Sequence, residues 1–214
     1  MAPEVVLQLA ILTLTVAILY VVHHLRQRGG QNRSRVRTRN RDSLQSERHL
    51  VQGSRLLARA RSNPDRAHSK SALLEADEAL SLTPRDPAAH ILKAHALDLM
   101  GHHAAALKSM DSALSSPHVK SLSQRERQEA LVKRAQLKLA VNKRRRVDSA
   151  VDDLVEAVSL CEGNDSEALC LLGQCYEWKG NKEKAEEAFK RAIEVEPDSS
   201  EAHSGLDRLG LSTC

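Results

Sequence analysis

The sequence predicts an all-α protein: an α-solenoid of stacked helical hairpins, preceded by a single N-terminal transmembrane helix and a basic linker. Three observations carry that prediction. Hydrophobic residues make up 41% of the 214 residues but aromatics only 2%, so the interior must be built from Leu, Ala and Val, which suits close-packed helices better than a β-sandwich. Small alanines recur at a nearly constant interval, Ala79 and Ala113 being 34 residues apart and Ala157 and Ala192 35. An uncharged run, Val5 to Val22, is followed at once by arginines.

Residues 1–25 read as the anchor. As a helix the uncharged run of residues 5–22 spans about 27 Å, enough for a thin bilayer. Val, Leu and Ile dominate it, and Gln8, Thr13 and Thr15 weaken its insertion without reversing it. A cleaved leader would want a basic residue before the run and a small-x-small site after it; this chain has Glu4 before and Tyr20-Val-Val-His-His after. A buried core helix fits poorly, because the run is apolar all round. Arg26, Arg28, Arg33, Arg35, Arg37, Arg39 and Arg41 follow it, whereas only Glu4 and the terminal amine precede it, so the positive-inside rule places the C-terminal domain in the cytosol. An anchor with a basic flank resembles those of signal-anchored proteins of organelle outer membranes and of the endoplasmic reticulum.

Residues 26–43 read as an Arg-rich flexible linker, being poor in apolar residues and interrupted by Gly29-Gly30. The same seven arginines can touch anionic headgroups, at roughly 1 kcal/mol for each one held near the surface. No aromatics interleave them to stack bases, which disfavours nucleic acid as a partner. Between Arg26 and Arg66 twelve arginines stand against Asp42, Glu47 and Asp65, so the net charge of +4 is a local excess and the remainder of the chain is mildly acidic.

Residues 44–211 read as the helical domain. Its first hairpin occupies about 44–84: Ala79 and Pro84 stand five apart, as Ala192 and Pro197 do, which makes 68–82 a second helix and 44–62 its partner across the turn Ser62-Asn-Pro-Asp. In the second, 86–117, Asp86-Pro87 opens a helix, Gly101 makes the turn, and Ala94, Ala106, Met110 and Ala113 keep the register. The third, 123–161, follows an interval of 44 residues from Ala113 to Ala157. Its extra residues are assigned to a loop at 115–122 and a turn at 142–147, where Lys143-Arg144-Arg145-Arg146 is expected as a solvated loop. Ala135, Ala150, Leu154 and Ala157 take the packing positions.

The fourth hairpin, 165–197, is the most regular. Leu169, Leu172, Gly173, Tyr176, Gly180, Ala185, Phe189, Ala192 and Pro197 follow the pattern W-x2-L-G-x2-Y…A-x3-F…P, with Leu169 in place of Trp. This segment resembles the tetratricopeptide repeat (TPR). A segment at 199–209 has apolar residues too sparse to be buried on two sides and is expected to cap the array.

The resemblance implies a concave face built from the first helix of each hairpin. That face would carry Ala88, Ile91, His95 and Asp98, then Glu129, Val132, Gln136 and Leu139, then Glu167, Cys170, Gln174 and Glu177. Of these, Ile91, His95, Asp98, Val132, Gln136, Cys170, Gln174 and Glu177 are the candidate partner-binding residues. Members that grip acidic chaperone C-termini use a clamp of Lys, Asn and Arg; the matching positions here are Leu57, Arg61, Leu92, Glu129 and Lys133, so only two are basic. The mixed, slightly acidic face favours an amphipathic or basic peptide.

The sequence contains no HExxH, GxSxG or GxxxxGK[ST], so no catalytic residue, metal ligand or cofactor site is assigned. His90 and His95 are five apart and His102-His103 adjacent, which is not the spacing of a zinc site. Cys161, Cys170, Cys175 and Cys214 show no disulfide framework and read as reduced thiols. The expected function is non-enzymatic: a single-pass, cytosol-facing adaptor that binds a protein or peptide. A structural subunit of a membrane complex, or a protein like a co-chaperone or import receptor, stays open as an alternative.

Overall fold

Short polar side chains set the helix starts in the computed structural model of the protein. Asp86 accepts a hydrogen bond from the Ala88 amide at 3.0 Å, with Pro87 opening the first turn. Ser123 and Glu126 form a reciprocal capping box, Asp165 accepts from the Ala168 amide at 3.0 Å, and Asn181 from the Lys184 amide at 3.2 Å. The structure describes the backbone of residues 2–63, 66–161 and 164–210 and, within these, the side chains other than those of 2–12, 23–40 and 118. The elements are α1 (Ala2–Ser62), α2 (Arg66–Leu82), α3 (Pro87–Leu99), α4 (His103–Ala113), a short 3-10 turn (His118–Ser121), α5 (Gln124–Leu160), α6 (Ser166–Trp178), α7 (Lys182–Val195) and α8 (Ser200–Arg208). Among the described residues there is no strand.

The chain divides into two units, Met1–Gln45 and Ser46–Cys214. In the first, every described side chain from 13 to 22 is exposed. Among the described residues no helix is long and apolar enough to cross a membrane. Residues 5–12 of the expected span lie outside the described side chains, as do those of Arg26, Arg28, Arg33, Arg35, Arg37 and Arg39; Arg41 is exposed. The backbone of 26–43 is helical where composition predicts an extended tether. Arginine and glutamine are good helix formers, and the helix carries Gly29-Gly30 at a cost of about 1 kcal/mol for each glycine.

The second unit is a row of antiparallel hairpins. Residues 46–62 of α1 meet α2 through His49 Nδ1, 2.7 Å from a Glu75 carboxylate oxygen, and meet the residue after it through the Ser46 and Thr83 hydroxyls, 2.6 Å apart. Pro64 and Asp65 of the expected turn lie outside the described residues. Next come α3 with α4 and α6 with α7, each reversing at a glycine with positive φ, Gly101 (81°) and Gly180 (74°). The helix α8 closes the end by packing on α6 and α7.

The third hairpin differs from its expected form. Its turn is a single residue: Asn142 alone leaves the helical region (φ −162°, ψ 92°), and its Oδ1 accepts from the Arg145 amide at 3.1 Å. The two arms of α5, 124–141 and 143–160, then run antiparallel. Gln124 bonds the Leu160 carbonyl, Arg127 meets Glu156, and Arg134 meets Asp153, each pair joining one arm to the other across the turn. Lys143–Arg146 is therefore helical and not a loop, because one asparagine cap suffices to restart a helix of good formers. The extra residues lengthen the arms as well as the 115–122 connection.

Alanine dominates where helices touch: Ala72, Ala76, Ala79, Ala94, Ala96, Ala106, Ala113, Ala135, Ala150 and Ala157 are fully buried. In the last hairpin the fully buried Phe189 ring is the large core side chain, worth roughly 1.5–3 kcal/mol by burial alone.

Candidate functional site

The first helix of each hairpin presents one side to the first helix of the next, and polar side chains bridge every step. Arg61 Nη2 lies 3.3 Å from His95 Nδ1, joining the first hairpin to the second. Lys133 Nζ lies 2.6 Å from Asp98, joining the second to the third. Gln136 donates to Glu167 at 3.1 Å, joining the third to the fourth. Gln174 donates to Glu201, and Arg208 pairs with Glu177 at 2.9 Å, joining the fourth to α8. The result is a ladder of polar rungs along one face.

His95 and Asp98 on it are electrostatically displaced. Burial holds His95 neutral, and Arg61 and Lys133 push the same way against the weaker pull of Asp98, lowering its pKa to about 4. Burial alone would raise the Asp98 carboxyl, but hydrogen bonds from Lys133 and His103 more than reverse it and hold it below the usual range. Below the ladder opens a cleft of about 180 Å³ between the first three hairpins. Leu57, Ile91, Leu92 and Ala130 floor it, and His95, Glu126 and Glu129 stand at its rim.

Residues 166–199 match the family model of the tetratricopeptide repeat. The fold is TPR-like. It is similar to three solved structures: a fragment of MamA from Desulfovibrio magneticus RS-1 (20% identity, 76% of this chain and 84% of that one, TM-score 0.61), the thermophilic TPR protein TTC0263 of Thermus thermophilus (21%, 78% and 81%, 0.55), and Pseudomonas aeruginosa pilF (17%, 80% and 68%, 0.61). No curated protein matches by sequence.

In the TPR-like array the expected concave residues divide into two groups. Ile91, His95, Asp98, Gln136, Gln174 and Glu177 are part-exposed on the first helices, and Ile91 and His95 share the cleft with Glu129. Val132 and Cys170 are not available: Val132 is 7% exposed within the core, and Cys170 is covered by the start of α8, its Sγ 3.7 Å from Ser199 Oγ. Spacing along one helix cannot show that a later helix covers it. Arg61 and Lys133, the two basic positions of the clamp comparison, are held by His95 and Asp98.

Sequence reasoning missed Arg208 and Glu201, because the capping segment lacks the repeat pattern that would give their register. It also missed Glu126, whose low pKa comes from its hydrogen bonds with Ser123. Among the described residues no three His, Cys, Asp or Glu side chains are grouped to hold a metal. Cys161, Cys170 and Cys175 are free thiols, and burial pushes Cys175 up to about 11; Cys214 lies outside the described residues.

Proposed function

We propose that this chain is a non-enzymatic adaptor, fastened to a membrane by residues 5–22, whose cytosolic TPR-like array holds a protein partner through a short peptide segment. Stacked hairpins of this kind build extended concave surfaces for such partners. The observation that carries the reading is the cleft floored by Leu57, Ile91 and Leu92 with Glu126 and Glu129 at its rim. It suits an aliphatic side chain followed by a basic one, and it lacks the cations that an acidic tail would need. The anchor is supported by the uncharged run at 5–22, by the arginines behind it, and by exposure of every described apolar side chain in it, from Leu14 at 62% to Val22 at 50%.

A peptide-display selection against the chain tests the groove. Enriched peptides should pair an aliphatic residue with Lys or Arg and should lose at least about tenfold in affinity to Ile91→Asp, the order expected for an anchor side chain. Enriched peptides indifferent to that change and to Glu129→Lys would sink the groove reading. Resistance to extraction by alkaline carbonate, lost on removing residues 1–25, tests the anchor.

A second reading, as a structural subunit, is favoured by a cleft of about 200 Å³ bounded by the second arm of α5, by α6 and by α7. Val158, Leu172 and Ala188 floor it, and Val155, Tyr176, Lys184, Glu187 and Arg191 border it. A partner lost on Val155→Asp but kept on Ile91→Asp would select this reading.

A further inference from the structure

The side of α1 opposite its packed face carries Arg48, Val51, Arg55 and Arg59. Ser46, Gly53, Leu57 and Ala60, on the other side of the same stretch, are buried against α2 and α3. Helical spacing brings the four outward residues onto one strip about 17 Å long. All four are exposed, Val51 at 48%. None of the three arginine side chains has an ion pair or hydrogen bond among the described residues, and no acid lies within the strip; Glu47 only flanks it. The other end of the array is finished differently, since α8 turns Glu201, Ser204 and Asp207 outward and ties Arg208 to Glu177.

We infer that this strip is a contact surface for an anionic phospholipid bilayer, so that the first hairpin lies against headgroups. The inference extends the membrane reading above with residues that the anchor and its arginine flank do not include. Three features select the occupant. None of its four residues lines either cleft, so the strip offers a helix face to a plane and not a pocket to a partner's side-chain anchor. An aliphatic residue set among arginines on one helix face is the arrangement that enters the boundary between headgroups and acyl chains. A second copy of the chain would bring arginine against arginine, and the strip offers no aromatic on which a nucleic-acid base could stack.

The experiment uses the full chain with vesicles of phosphatidylcholine and with the same vesicles containing phosphatidylserine. Arginines are modified with p-hydroxyphenylglyoxal and located by mass spectrometry. Modification of Arg48, Arg55 and Arg59 should fall about fivefold each on the anionic vesicles alone and recover in high salt, with exposed Arg85 and Arg191 unchanged as references. The variant Arg48→Gln/Arg55→Gln/Arg59→Gln should still float with neutral vesicles yet lose at least about tenfold of the preference for anionic ones. Flotation with equal modification on both vesicle types overturns this inference and leaves the anchor standing; no flotation with either overturns both. Protection by polyglutamate without protection by anionic vesicles overturns it in favour of an acidic protein. Protection that grows with chain concentration alone overturns it in favour of a second copy.

Discussion

The ring of Phe189 lies so close to Gly173 that a Cβ there would sit 2.7 Å from Cε1, and a Cβ at Gly205 on the far side would sit 2.6 Å from the same atom. One aromatic ring is thus held between glycines of α6 and α8, and it can yield to neither side. Gly173→Ala or Gly205→Ala should each cost about 1–3 kcal/mol, read as a lower urea midpoint with an unchanged slope. Combining either with Phe189→Leu should cost less than the two changes summed, because the smaller side chain vacates the contested space.

Asp153 is the only ionised group this deeply buried among the described residues, at 4% exposure. Arg134 grips it with two hydrogen bonds of 2.6 and 3.0 Å, and Lys138 adds an ion pair at 2.6 Å. Asp153→Ala would leave the part-buried Lys138 without a counter-charge and Arg134 with only the more distant Asp111, 3.8 Å away, so a loss of about 3 kcal/mol is expected on chemical denaturation. Replacing Arg134 and Lys138 by Met together with Asp153→Leu should restore most of it; failure to do so would mean that the triad supplies more than charge compensation.

His95 predicts an acid dependence. Its pKa falls from 6.5 unfolded to about 4 folded, so the unfolded chain binds more protons between those values. The stability it contributes is complete above pH 6.5 and is lost as pH falls towards 4, by up to roughly 3 kcal/mol. Denaturation midpoints at pH 7.5 and pH 4.5 should therefore differ less for His95→Gln than for the wild type. An equal difference would show that His95 is not held neutral.

Trp178, the single tryptophan, reports on the helix that replaces the expected basic loop. Lys143 Nζ stands 3.1 Å from the centre of its ring. Lys143→Ala should expose the indole, moving its emission to longer wavelength, and should cost about 0.5–1 kcal/mol. An unchanged spectrum would place the ammonium elsewhere.

The hairpin ends could be read from the sequence because turn chemistry is local. Asp86-Pro87, Gly101 and Gly180-Asn181 declare a start or a reversal without reference to the rest of the chain. Asn142 is the harder case, since the four cations after it have the composition of a loop and the propensity of a helix. The groove was legible only in part. The family resemblance assigns Glu129, Gln136, Gln174 and Glu177 to one side of the first helices, but whether a side chain there is open or occupied depends on the neighbouring helix. That is why Cys170 is hidden beneath α8, and why Asp98 and Gln136 serve their neighbours.

Because each rung of the ladder reaches no further than the adjacent hairpin, the array is mechanically a necklace and not a block. A visitor that outcompetes one rung, such as the Gln136–Glu167 link, alters the bend at that joint and leaves the others as they were. Curvature along this surface is therefore adjustable joint by joint.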